Sequence, residues 1–211
     1  MVPEKFKPLF DGSEELLQSH RGWDPGAYEV ATYLSNQLHV PVYSMAVTRL
    51  LIEMNRSLNS TTLFSEFSSG LSTTEKSQLV QDYYLPYRNA VEAAIAHNVR
   101  PVLHLSVHSF TPVLHGVERN VDVGLLFDPN VASETRFCTA LKKSLEIRLP
   151  DLRIKFNEPY NGTDDGVTMA MRKKFPGTEY LGIEIELNQK FVGSPTWLRI
   201  QRAFGEAIRL S

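Results

Sequence analysis

The chain has 211 residues, 42% hydrophobic and 22% charged, with a formal net charge of −2; this suits one sizeable core, a single domain over 1–211, and provides no field that would draw a polyanion or an anionic membrane. A single cysteine, Cys138, excludes an intrachain disulfide framework and, lying in a helix-like run without metal-ligand neighbours, reads as a small buried hydrophobe. No apolar run approaches the ~18 residues of a membrane span, and the opening MVPEKFKPLF lacks the apolar region of a secretory signal, so a reducing cytoplasm is expected, with neither nucleic acid nor membrane as partner.

In chain order, Asp24 as N-cap and Pro25 at the first helical position open a helix on which Ala27, Val30, Ala31, Leu34 and Leu38 share one face. It leads into an extended segment, VPVYSMAV, Val40–Val47. Ser72 and Glu75 form a capping box at the head of a long amphipathic run through Ala96, which Pro86 should kink or split. RPVLHLSVHSF is the next extended segment. After it come VDVGLLFDP, a helix from about Ser133 to Ile147, LRIKFNEP, a short helix near Val167 to Lys174, YLGIEIEL, and a last helix from about Thr196 to Leu210. Strands alternating with helices predict an α/β fold, a three-layer sandwich with a mixed, largely parallel sheet flanked by helices, and a site beyond the carboxyl ends of its strands.

Two segments carry unusual polar residues for buried strands. Side chains alternate along VLHLSVHSF, so His104, Ser106 and His108 share a face, with His108 at the carboxyl end and His104 deeper, where a hydrogen-bonded core histidine is the plainer reading. In YLGIEIELNQKF, Glu184, Glu186 and Asn188 alternate with Ile183, Ile185 and Leu187. Interior carboxylates cost several kcal/mol unless paired, metal-bound or protonated, whereas an edge strand with a wet face would carry them cheaply. A third segment, VTRLLIEMNRSL, places Asn55 and Arg56 in a loop after a strand, with Arg49 seven residues earlier. There an arginine can hold a carboxylate with two parallel hydrogen bonds and an asparagine can orient it; solvated loop arginines are the plain alternative.

SHRGWDPGAYEVATYL, VTRLLIEMNRSL, FSEF, YYLPYRNAVEAAI, HLSVHSFTPVL, RNVDVGLLFDP, YNGTDDGVTMAMRKKF and GIEIELNQKFV, in this order, resemble the N-formylglutamate amidohydrolase family over nearly the whole chain. That family is itself similar in fold to zinc carboxypeptidases. The resemblance implies a zinc-dependent amidohydrolase with one divalent metal ion, acting through metal-activated water on a small N-acyl amino acid such as N-formyl-L-glutamate. It makes His108 a zinc ligand, Asp24 an oxygen ligand or an orienting group as well as a candidate N-cap, Glu186 rather than Glu184 the general base, and Asn55, Arg56 and Arg49 the residues at a substrate carboxylate.

The chain also departs from the family pattern. Members have an N-terminal strand and a motif such as Glu-His-Gly-Gly-Asn or His-Ser-Gly whose histidine binds metal, and this chain opens at MVPEKF, so it is expected to be N-terminally truncated relative to them. Glu53 stands where the family has aspartate, which lengthens the arm toward Arg56. The alternative to the enzyme is a degenerate family member acting as a metal-free binding or regulatory protein.

Overall fold

A computed structural model describes residues 1–209; the predicted end of the last helix at Leu210 lies outside the described residues. In chain order the regular elements are α1 (Glu14–Gln18), α2 (Ala27–Leu38), α3 (Thr73–Leu79), α4 (Leu85–Ala96), β1 (Val102–Phe110), β2 (Val113–Leu114), β3 (Val117–Glu118), β4 (Val123–Leu126), α5 (Ala132–Arg148), β5 (Ile154–Phe156), α6 (Val167–Arg172), β6 (Tyr180–Asn188) and α7 (Pro195–Arg209). No helix among the described residues is long and apolar enough to cross a membrane.

The main sheet has the order β1-β6-β4-β5. β1 runs parallel to β6 and β4 parallel to β5, while β4 meets β6 antiparallel. One face is apolar: Ile183, Ile185 and Leu187 of β6 and Val123 and Leu125 of β4 pack with Val30 and Leu34 of α2, Leu141 and Leu145 of α5, and Trp197, Ile200 and Phe204 of α7. Cys138, fully buried on α5, belongs to this core. Complete burial of each of these large side chains contributes about 1.5–3 kcal/mol. On the opposite face Val91 and Ile95 of α4 and Val167 and Met171 of α6 pack around Tyr180. Helix, sheet and helix therefore form the expected three layers.

β6 is an interior strand, paired on both sides, so its carboxylates do not lie on a wet edge: Glu184 and Glu186 are only 8% and 6% exposed. The capping box at Ser72 and Glu75 forms with both of its reciprocal hydrogen bonds. The run that follows is split as expected, but ahead of the proline, by a π-helical turn over Val80–Tyr84, so that Pro86 falls in the first turn of α4, where a missing N–H costs nothing.

Three local expectations are corrected. Val40–Val47 joins no strand ladder and ends in a bend at Val47, and Val40, Val42 and Tyr43 are exposed; apolar alternation makes a strand only where a partner's backbone is within reach. For the same reason Asn55 and Arg56 lie in a loop that does not follow a strand. Asp24 is not the N-cap of α2. That place belongs to Gly26, whose φ of +80° is left-handed and whose absent Cβ would lie 2.4 Å from the Trp197 ring. The Asp24 carbonyl accepts from the Ala27 N–H, and its carboxylate is drawn away to two cationic partners, which outweigh a cap worth roughly 1 kcal/mol.

Candidate active site

The parallel register of β1 and β6 sets Ser106 beside Glu184 and His108 beside Glu186. These four side chains share the polar face, because β1 and β6 alternate in phase. A cleft of about 150 Å³ opens over the carboxyl half of this pair, and its walls include Asp24, Arg49, Glu53, Asn55, Arg56, His108, Glu184 and Glu186. Every residue singled out in the sequence for metal, substrate or proton transfer thus lines one cavity.

His108 is held at both nitrogens. Nδ1 lies 2.9 Å from Asp24 Oδ2 and Nε2 lies 3.0 Å from the Ser106 hydroxyl. Burial disfavours the imidazolium, but the hydrogen bond and charge of Asp24, with Glu186 and Glu184 nearby, raise its pKa to about 9. Asp24 is itself buried, which favours the neutral acid, yet His108 and Arg49 hold its pKa below the ordinary value. Arg49 Nη2 stands 2.7 Å from Asp24 Oδ1 and Nε 3.2 Å from Glu53 Oε2, so two carboxylates of the protein balance its charge at the cleft wall.

Glu186 is different. Burial raises its pKa to about 8, with Asp24 and Glu184 adding to the effect against His108 and Arg49. Its Oε2 is buried without a hydrogen-bond partner. Glu184, by contrast, accepts the Thr168 hydroxyl. His104 accords with the core reading: Nδ1 lies 2.8 Å from the Tyr180 hydroxyl, and burial, aided by the charge of His108, lowers its pKa to about 4.

The loop bearing Asn55 and Arg56 is held by the π-helical turn before α4, by α4 itself and by the segment leading into α6. The Tyr84 hydroxyl donates to the Arg56 carbonyl at 2.6 Å, and Arg88 donates to the Met54 carbonyl at 3.2 Å. Asn55 Oδ1 accepts from the Val167 N–H at 2.8 Å, tying the loop to the first turn of α6. Arg56 Nη1 donates to the carbonyls of Asn55 and Asp165, and no carboxylate pairs with its guanidinium among the described residues. Glu53 turns to Arg49 and to the Asn55 N–H, not to Arg56.

Sequence reasoning passed over the far wall. Tyr160, Asn161, Asp164 and Asp165 come from the loop between β5 and α6, and Ser109 from the end of β1. Their signal was the turn-forming stretch YNGTDDG between a strand and a short helix, a place where binding residues collect. The loop lies against β4 because Gly124 has no side chain: a Cβ there would be 2.1 Å from the Glu158 carbonyl oxygen and 3.1 Å from the Glu186 Cβ. Arg172 holds it from below, bonding the Gly162 carbonyl and the fully buried Glu134.

The donor set does not fit a catalytic zinc. Asp24 and His108 meet, but as a hydrogen-bonded pair whose carboxylate is shared with Arg49. Among the described residues no three of His, Cys, Asp and Glu form a group able to hold a metal, against the three protein ligands usual at catalytic zinc.

Fold and cleft together define an α/β domain with a buried acid, a histidine–aspartate pair and a loop arginine over a mixed sheet. The family model for N-formylglutamate amidohydrolase matches residues 1–192, and the chain belongs to that family. A crystal structure of a gene product from Agrobacterium tumefaciens is similar to it with a TM-score of 0.77 and 26% identity, over 100% of this chain and 86% of that one. An N-formylglutamate amidohydrolase from Ralstonia eutropha shares the fold with a TM-score of 0.66 and 16% identity, over 100% of this chain and 88% of that one. No curated protein sequence matches the chain.

Proposed function

We propose that the chain is an amidohydrolase whose cleft binds a small N-acyl amino acid, with N-formyl-L-glutamate as the type compound, through a carboxylate at Arg56, and exchanges a proton with the amide through Glu186. The reading is carried by one juxtaposition: a buried acid with an unpartnered oxygen and an arginine held only by backbone carbonyls line the same small cleft. Below about pH 8 Glu186 is the neutral acid. In that form it can deliver its proton to the leaving nitrogen and recover one from the attacking water, so that the C–N bond breaks as the C–O bond forms.

A second reading, a binding or regulatory protein that uses the same cleft, is favoured by the pairing of Asp24 with Arg49 and His108, which leaves too few donors for a zinc ion to activate water. Formate release from N-formyl-L-glutamate, measured beside calorimetric binding of the same compound, separates the two. The enzyme reading expects release that Glu186→Gln abolishes while binding persists. Binding without release in either protein supports the second reading, and no binding of any N-acyl amino acid in a broad panel sinks both.

A further inference from the structure

Asn55, Arg56 and Ser57 meet one short stretch of the loop before α6, each through a different group. Asn55 Oδ1 accepts from the Val167 N–H at 2.8 Å, Arg56 Nη1 donates to the Asp165 carbonyl at 2.8 Å, and Asp165 Oδ2 accepts from both the N–H and the hydroxyl of Ser57 at 3.0 Å. Asp165 thus turns its carbonyl, not its carboxylate, to the arginine. The turn that delivers it is set one residue earlier, where Asp164 Oδ2 accepts from the Asn161 N–H at 3.0 Å.

This arrangement fixes the guanidinium. Nη1 carries two N–H groups, and both are used, by the Asp165 carbonyl and, at 2.9 Å, by the Asn55 carbonyl. Nε and Nη2 have no partner among the described residues, and that edge offers parallel N–H groups at the spacing a carboxylate accepts. Arg56 and Asp165 both line the cleft. A carboxylate of Asp165 turned onto Arg56 would balance its charge and close that edge to an anion; Ser57 holds Oδ2 elsewhere. We infer that Asp165 is a positioning residue: latched by Ser57, it holds the Arg56 guanidinium through its main chain in one orientation, with the Nε–Nη2 edge left for a bound anion. The assignment rests on the reading of Arg56 as the carboxylate-binding residue and adds the group that aims it.

The test compares the full chain with Asp165→Ala and Asp165→Asn. Both variants lose the same charge and asparagine keeps an oxygen for Ser57, so the pair separates the latch from electrostatics. Asp165 is exposed, so both should fold, which circular dichroism checks. In calorimetric binding the unaltered chain should prefer N-formyl-L-glutamate over its α-amide by about 10-fold. Asp165→Ala should reduce that preference to about 3-fold or less with the amide unaffected, and Asp165→Asn should keep it within about 2-fold. Loss of a nearby carboxylate by itself strengthens anion binding, so a weakening in Asp165→Ala has the opposite sign from a charge effect. Nitrogen-15 NMR of the arginine side chains, assigned with Arg56→Lys, reads the latch without ligand: the Arg56 guanidinium should show restricted rotation in the unaltered chain and in Asp165→Asn, and free rotation in Asp165→Ala. Unchanged rotation in Asp165→Ala, equal weakening of both ligands, or the same behaviour of the alanine and asparagine variants overturns the inference. Rotation released in Asp165→Ala, with neither ligand bound by the unaltered chain, overturns the amino-acid-binding reading and leaves Asp165 as the residue that holds Arg56.

Discussion

His108 and Glu186 are register partners across the parallel β1–β6 pair, one held as a cation by Asp24 and the other held neutral by burial. Adjacent parallel strands lie about 4.8 Å apart, so the two side chains stand next to each other over the cleft. The same sheet position thus supplies a proton-bearing acid and a fixed positive charge.

This pair makes stability fall as pH rises. Both folded pKa values lie above the unfolded ones, so the stabilising contribution of each proton is complete below the unfolded pKa and is lost as pH climbs through about 8 for Glu186 and about 9 for His108. Thermal unfolding of the unaltered chain should show a melting temperature that declines between pH 5 and 9. Glu186→Gln has no proton to lose, so its advantage over the unaltered chain should grow across that interval. A constant difference between the two would mean that Glu186 is already ionised at pH 5.

Zinc should not be held stoichiometrically by the chain, because Asp24 and His108 are two donors and Asp24 is already shared with Arg49. After equilibration with zinc and desalting, elemental analysis should find far less than one equivalent of metal. One retained equivalent, lost in His108→Ala, would show that a third ligand exists.

Arg56 acts on a bound carboxylate through a planar fork that lysine cannot reproduce. Arg56→Lys should weaken binding of N-formyl-L-glutamate about 10-fold, while a ligand with its α-carboxylate replaced by an amide should change little. Equal weakening of both ligands would make Arg56 a structural residue that holds the Asp165 carbonyl.

The Glu134–Arg172 pair should be worth more to stability than any surface ion pair of this protein. Glu134 is fully buried and accepts from Arg172, from the Gly182 N–H and from the Asp128 N–H, so it ties α5, α6, β6 and the end of β4 together. Arg172→Met strands a buried carboxylate and should cost about 3–5 kcal/mol, which lowers the melting temperature by roughly 10 °C in a chain of this size. By comparison, Arg199→Met, which removes an exposed pair with Asp151, should cost no more than about 1 kcal/mol.

Much of this could be read along the chain because it is local. Period-2 alternation assigned Glu184 and Glu186 to one face of β6 and His104 and His108 to one face of β1, and the capping box located the start of α3, since pleat and helix geometry depend only on near neighbours in sequence. The resemblance to the N-formylglutamate amidohydrolase family added candidate roles for these residues. Tertiary packing decided everything that depends on distant segments meeting. Val40–Val47 has the pattern of a strand but no ladder partner. Asp24 reads as a helix cap until Arg49 and His108, 25 and 84 positions away, converge on its carboxylate in a desolvated cleft, where charged hydrogen bonds outweigh a cap. Arg119 looks like any loop arginine in sequence, and only the arrival of Tyr160 from the loop after β5 gives its Nη2 an acceptor and its guanidinium a ring to stack on.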